Sequence, residues 1–132
     1  MIYGIGTDLV DLERIKSMKS LSSFAKKILG DQELKEYAQL EEGLNQYYLG
    51  KQFAGKEAFV KALGTGFKDP IFPKDIQILR NSLGKPEVIL SAGAKSYVED
   101  LGITKSHVSL ACLLYTSPSP RDATLSRMPS SA

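Results

Sequence analysis

Residues 44–63 constrain the fold more than any other stretch of this 132-residue chain. Leu49, Phe53, Val60 and Leu63 recur at helical spacing and make one apolar stripe, which must face a core. Gly64 follows where a left-handed residue would close the helix. One member of the stripe is out of character. Positions 49, 53, 57 and 60 share a face, so Glu57 projects a carboxylate from the apolar side, where an unpaired charge is costly. It has two readings: an i,i+4 pair with Lys61, contributing about 0.2–0.5 kcal/mol, or a metal ligand.

The flanking sequence alternates strand-like and helix-like patterns. Ile2 to Val10 is short, β-branched and glycine-spaced, which predicts a first strand with Asp8 on the face of Gly4 and Gly6. Bare glycines there let another element or a ligand approach the backbone. Asp11 caps a helix in which Leu12, Ile15, Met18, Leu21, Phe24 and Ile28 recur, with Ser22-Ser23 as a candidate break. Gly30-Asp31 stops one helix and starts the next. Asp75 to Arg80 and Glu87 to Leu90 flank Asn81-Ser-Leu-Gly84-Lys-Pro86, a hairpin signature. Ala92 to Leu101 reads as a helix stopped by Gly102, and His107 to Ala111 opens another strand. The last 21 residues hold three of the six prolines and five serines with no periodicity beyond Tyr115, so 112–132 reads as a disordered tail. That tail also looks like translated adapter read-through, with the native chain expected to be cut near Ala111.

Composition narrows the function classes. At 42% hydrophobic and 24% charged, the chain is an ordinary soluble globular one, neither collagen-like nor largely disordered. No apolar run suffices to span a bilayer and no secretory leader pattern opens the chain, so it reads as cytoplasmic and not membrane-bound. Seventeen basic against fifteen acidic residues give +2, too near neutrality for a polyanion binder, and nucleic acid is not expected as a partner. One cysteine, Cys112, and one histidine, His107, form neither a disulfide nor a zinc cage by themselves. Hard-cation sites built from carboxylates remain open, and Asp8 with Glu57 would suit Mg²⁺ if the fold brings them together.

Further candidates are individually weak. Lys61-Ala-Leu-Gly64-Thr65-Gly66 offers a cation and a small-residue loop that can hold phosphate through backbone N–H groups, although helix-ending glycines are more often plain caps. A lone strand histidine such as His107 is more often structural than catalytic. Arg14 to Lys27 carries Arg14, Lys16, Lys19, Lys26 and Lys27 with no acidic residue between them, interleaved with Ile15, Met18, Leu21 and Phe24. This basic amphipathic face is either a solvated helix surface or a docking site for an acidic protein.

Taken in order and spacing, Gly4-Ile-Gly6-Thr-Asp8-Leu-Val-Asp11-Leu-Glu-Arg14, Phe53-Ala-Gly-Lys56-Glu57-Ala-Phe-Val-Lys61-Ala-Leu-Gly64-Thr65-Gly66, Asp75-Ile with Gly84-Lys-Pro86, and His107-Val-Ser109 resemble the holo-acyl-carrier-protein synthase family of 4′-phosphopantetheinyl transferases. The likeness covers nearly all of residues 1–111, which it implies to be a single domain. It implies an α+β fold, a small antiparallel sheet packed with helices, assembled as a homotrimer with intersubunit sites. It also implies that Asp8 and Glu57 hold Mg²⁺ on the diphosphate of coenzyme A while a serine of apo acyl carrier protein attacks the β-phosphorus. Holo carrier protein and adenosine 3′,5′-bisphosphate would result, serving fatty acid biosynthesis. Lys61 would contact the reacting phosphoryl group, and Asp8, Glu57 and Lys61 form the implied catalytic set.

Lys56, Gly64, Thr65, Gly66, Pro86 and His107 match the family's coenzyme A surface, and Arg14, Met18 and Phe24 its carrier-protein docking helix. The serine's proton acceptor is left open between Glu57 and a metal-bound water. Two departures stand out. Gln52 replaces an Arg that many members carry, which implies a weaker phosphate contact, and the family's final strand is missing after Ala111. The alternatives are a non-catalytic module that grips an acidic partner through the Arg14 to Lys27 face, and a transferase for peptidyl or polyketide carrier domains.

Overall fold

The computed structural model describes residues 1–110, so expectations for 112–132 lie outside the described residues. Helix α4 (Leu44–Leu63) is the spine, and its bounds are those of the predicted helix. Gly64 closes it with φ 81°, a left-handed conformation that costs glycine nothing, and its N–H donates to the Val60 and Lys61 carbonyls. The predicted hairpin forms from β1 (Ile76–Arg80) and β2 (Pro86–Leu90), paired antiparallel from Ile76 opposite Leu90 to Arg80 opposite Pro86. The Asn81 side chain holds the connecting turn by accepting the N–H groups of Leu83 and Lys85. Asp75 belongs to the 3₁₀ turn before β1, and α5 (Ala92–Asp100) follows β2 behind a Ser91 cap.

Three short helices precede the spine. The helix expected over residues 12–28 is two, α1 (Leu12–Lys16) and α2 (Leu21–Ile28), separated at 17–20 and not at Ser22-Ser23. Ser20 explains the position of the break, because its hydroxyl accepts the Ser23 N–H and starts α2 there. Helix α3 (Asp31–Ala38) follows Gly30, as the Gly-Asp pair implied. Gly30 offers no capping side chain. Instead Gln77, on β1, accepts the N–H groups of Gln32 and Glu33 at 2.8 and 3.2 Å, so a strand residue caps the helix.

Two apolar clusters sit at successive levels of α4. Leu49 joins Ala25, Ile28 and Leu29 below α2, while Val60 and Leu63 join Ile71, Ile76, Ala94 and Val98 under the hairpin and α5. The buried stripe of α4 therefore runs through 49, 52, 56, 60 and 63, with Gln52 and Lys56 between the clusters. The sequence placed Phe53 and Glu57 on this stripe; both are only partly buried. The helix is turned by one residue from that expectation because two polar side chains, not two apolar ones, complete its inner face.

The expected N-terminal strand is not formed: residues 1–11 pair with no strand among the described residues, and 103–110, where a strand was expected from His107, likewise carry none. What holds the first segment is contact with α4. A Cβ added to Gly4 would collide with the Ala62 carbonyl oxygen, and one on Gly6 with that of Ala58. Both glycines are thus needed for close approach, and the approaching element is α4.

Candidate active site

Pressing residues 4–6 onto the Ala58/Ala62 side of α4 delivers Asp8 to the adjoining side, where Glu57 and Lys61 stand one turn apart. Lys61 Nζ donates to Asp8 Oδ1 at 2.6 Å and to the Thr7 carbonyl at 3.2 Å. The i,i+4 reading of Glu57 with Lys61 is thereby displaced: the lysine reaches across to Asp8, and that contact, first among the causes, raises its affinity for its proton. Glu57 is close enough to Asp8 to share a hydrogen bond. Burial, then that bond, then the charge of Asp8 push the Glu57 carboxyl above the usual carboxylate range, while Lys61 and Arg14 pull it back. Two carboxylates 49 residues apart in the chain thus converge, with a lysine bonded to one of them and an arginine within electrostatic reach.

Such a pair suits a hard divalent cation. Among the described residues no group of three or more His, Cys, Asp or Glu side chains converges, so what these residues offer a cation is the two carboxylates. The remaining oxygens would come from water or a phosphate-bearing ligand, the pattern Mg²⁺ favours.

Other candidates are distributed differently. The Gly64-Thr65-Gly66 loop adjoins Lys61, but the N–H groups of Gly64 and Thr65 already donate to α4 carbonyls, and the Thr65 hydroxyl donates to the Gly66 carbonyl. Two of the N–H groups expected to hold phosphate are therefore committed to ending the helix. Pro86 opens β2 opposite Arg80, and His107 is exposed beyond α5; neither is bonded to the Asp8 group among the described residues. Arg14 is exposed on α1 and Met18 half-buried after it. Phe24 packs into the lower cluster, edge-on to Phe53 with ring centroids 5.5 Å apart, so it is a core aromatic as much as a docking anchor.

Lys56 corrects the expectation that it lies on a coenzyme A surface. It is 0% exposed, and its ammonium donates to Glu33 Oε1 at 2.6 Å and to the carbonyls of Pro73 and Ile76. All three N–H bonds are engaged within the protein. Burial lowers its proton affinity, and the charge of Glu33 beside it works in the opposite direction. Gln52, expected to weaken a phosphate contact, also points inward: its amide donates to Glu33 Oε2 and to the Ile78 carbonyl at 2.8 Å. Glu33 was not anticipated at all. Its 0%-exposed carboxylate accepts from Gly30 N, Lys56, Gln52 and Ile78 N. The only sequence signal for it is a glutamate three residues after a helix-starting glycine.

Comparison with known proteins shows the family. The model of the 4′-phosphopantetheinyl transferase superfamily matches residues 4–112. The chain belongs to that superfamily, a family of transferases. Among individual relatives, it is 42% identical over 113 residues to a holo-[acyl-carrier-protein] synthase of Neisseria meningitidis, covering 84% of this chain and 89% of the relative. The crystal structure of a holo-[acyl-carrier-protein] synthase from Neisseria meningitidis superposes with a TM-score of 0.77 at 40% identity, over 85% of this chain and 90% of that one. A Bacillus anthracis holo-(acyl-carrier-protein) synthase in complex with CoA (3′,5′-ADP) superposes with a TM-score of 0.64 at 36% identity, over 70% and 78%. The α+β fold expected from the sequence is the one found.

Proposed function

We propose that this chain transfers the 4′-phosphopantetheine group of coenzyme A to a serine of apo acyl carrier protein, in an Mg²⁺-dependent reaction that supports fatty acid biosynthesis in the cytoplasm. The observation that carries the reading is the convergence of Asp8 and Glu57, with Lys61 bonded to Asp8. Asp8 and Glu57 would hold Mg²⁺, which when bound would neutralise charge on the diphosphate and on the leaving phosphate. Lys61, whose side chain is 55% exposed, would move its ammonium from Asp8 to the reacting phosphoryl group. The serine Oγ forms a bond to the β-phosphorus as the bridging bond to the α-phosphate breaks, the hydroxyl proton passes to Glu57 or to water, and adenosine 3′,5′-bisphosphate leaves. Gly66, Thr65 and Gly64 beside Lys61, with Pro86 and His107, are the proposed coenzyme A contacts; Lys56 is withdrawn from that set.

The carrier protein would dock along α1 and α2. Arg14 stands where its charge reaches Glu57, so an acidic partner drawn to Arg14, Lys19, Lys26 and Lys27 would meet the carboxylate pair, with Met18 and the exposed edge of Phe24 as apolar contacts. Residues 1–111 would form the transferase domain. A homotrimer with intersubunit sites is supported by the N-terminal segment, which exposes Ile2, Tyr3, Ile5 and Leu9 without a strand partner among the described residues. Among those residues no helix is long and apolar enough to cross a membrane.

The test is intact mass spectrometry of an apo acyl carrier protein after incubation with coenzyme A, Mg²⁺ and this chain. A phosphopantetheine mass gain that disappears with EDTA is expected. Binding of the carrier protein without any gain at any Mg²⁺ concentration would replace the enzyme with a carrier-binding module.

A further inference from the structure

We infer that the buried Glu33–Lys56–Gln52 cluster is a positioning device for the active site: it fixes the rotation of α4 about its own axis, and with it the aim of Glu57. This rests on the reading of Asp8 and Glu57 as a metal-holding pair.

Gln52 and Lys56, four residues apart, project from one face of α4 and Glu57 and Lys61, four apart, from the next. On the first face the contacts are directional. Gln52 donates to Ile78 O, Lys56 donates to Ile76 O and Pro73 O, and both converge on the Glu33 carboxylate, which also accepts the Ile78 N–H. Two levels of the helix are thereby tied to two carbonyls of one strand and to one carboxylate. An apolar face holds a helix by shape alone, whereas turning this one also breaks several short buried bonds at once. The adjoining face is held less directionally: among the described residues Lys61 bonds Asp8, Glu57 meets Asp8, and Gly4 and Gly6 approach the helix closely. Lys56 precedes Glu57 directly, so a turn of α4 that breaks these bonds also carries the carboxylate away from Asp8.

The experiment replaces the buried ion pair by apolar side chains of similar volume, Glu33→Leu with Lys56→Met, a change that often leaves stability intact. In the full chain we expect a cooperative melt, kcat for transfer lowered on the order of 100-fold, and carrier-protein KM within about twofold. Mn²⁺ binding, followed by electron paramagnetic resonance with coenzyme A present, should weaken by roughly tenfold or more. A crystal structure should show Glu57 swung off Asp8. A folded variant with parental kcat, Mn²⁺ affinity and Glu57 position would overturn the inference. If the paired variant does not fold, Gln52→Met decides, since it keeps the ion pair and removes one tie: a drop on the order of tenfold in kcat at unchanged KM is expected, and parental kcat and Mn²⁺ affinity sink the idea. A parental chain without transfer counts against the proposed reaction alone; the position of Glu57 in the variant's crystal structure then decides, and an unmoved carboxylate overturns the inference.

Discussion

Helix α4 carries two lysine–carboxylate pairs five residues apart, both closed at 2.6 Å, and their surroundings make them opposites. Lys56 and Glu33 are both 0% exposed, and every remaining bonding position of the lysine meets a carbonyl. Lys61 and Asp8 are 55% and 11% exposed, and among the described residues the lysine has one further partner, Thr7. Equal distance therefore says nothing about role. A pair with no access to water cannot exchange partners without a large desolvation penalty, so it belongs to the architecture; a pair open to solvent can release its lysine to a phosphate.

That contrast can be broken from either side. The largest loss of stability is expected from Lys56→Met alone, which leaves the Glu33 carboxylate buried without its cation and should cost about 3–5 kcal/mol in urea denaturation. Asp8→Ala should do the reverse: transfer falls on the order of 100- to 1000-fold in a mass-resolved carrier assay, while the denaturation midpoint holds. Gly6→Ala tests whether close approach delivers Asp8. Its new methyl must push residues 4–8 off α4, and a loss of about 1–3 kcal/mol with a parallel fall in transfer is expected. Gln77→Ala, which uncaps α3 from across the sheet, should cost about 1 kcal/mol by the same denaturation measurement. Smallest of all, Lys61→Gln should leave the midpoint unchanged and lower only transfer. A midpoint shift as large as that of Lys56→Met would erase the distinction between the two pairs.

What the sequence disclosed follows the range of the interactions involved. The bounds of α4, its Gly64 cap, the hairpin around Asn81 and Gly84, and α5 are set by neighbours a few residues away, and they were legible. The inner face of α4 was misread by one residue because hydropathy treats Gln52 and Lys56 as surface, and only partners 17 to 26 residues distant make them interior. The N-terminal segment has the composition of a strand, yet whether an extended segment joins a ladder depends on what lies beside it. At the site, Asp8, Glu57 and Lys61 were nameable from pattern and resemblance, but their convergence was not, since 49 residues separate the carboxylates and only the packing of Gly4 and Gly6 on α4 brings them together.

The cap that Gln77 places on α3 also bears on the order in which the chain assembles. Eight residues are too few for a helix to persist alone in water, and two N–H groups of its first turn are satisfied from 44 and 45 residues away. Helix α3 is therefore not an autonomous early unit: its amides gain protection when β1 arrives. In a pulse-labelling refolding experiment, the amides of Gln32 and Glu33 should become protected in step with those of the hairpin and after those in the middle of α4, making two helical residues the reporters of sheet formation.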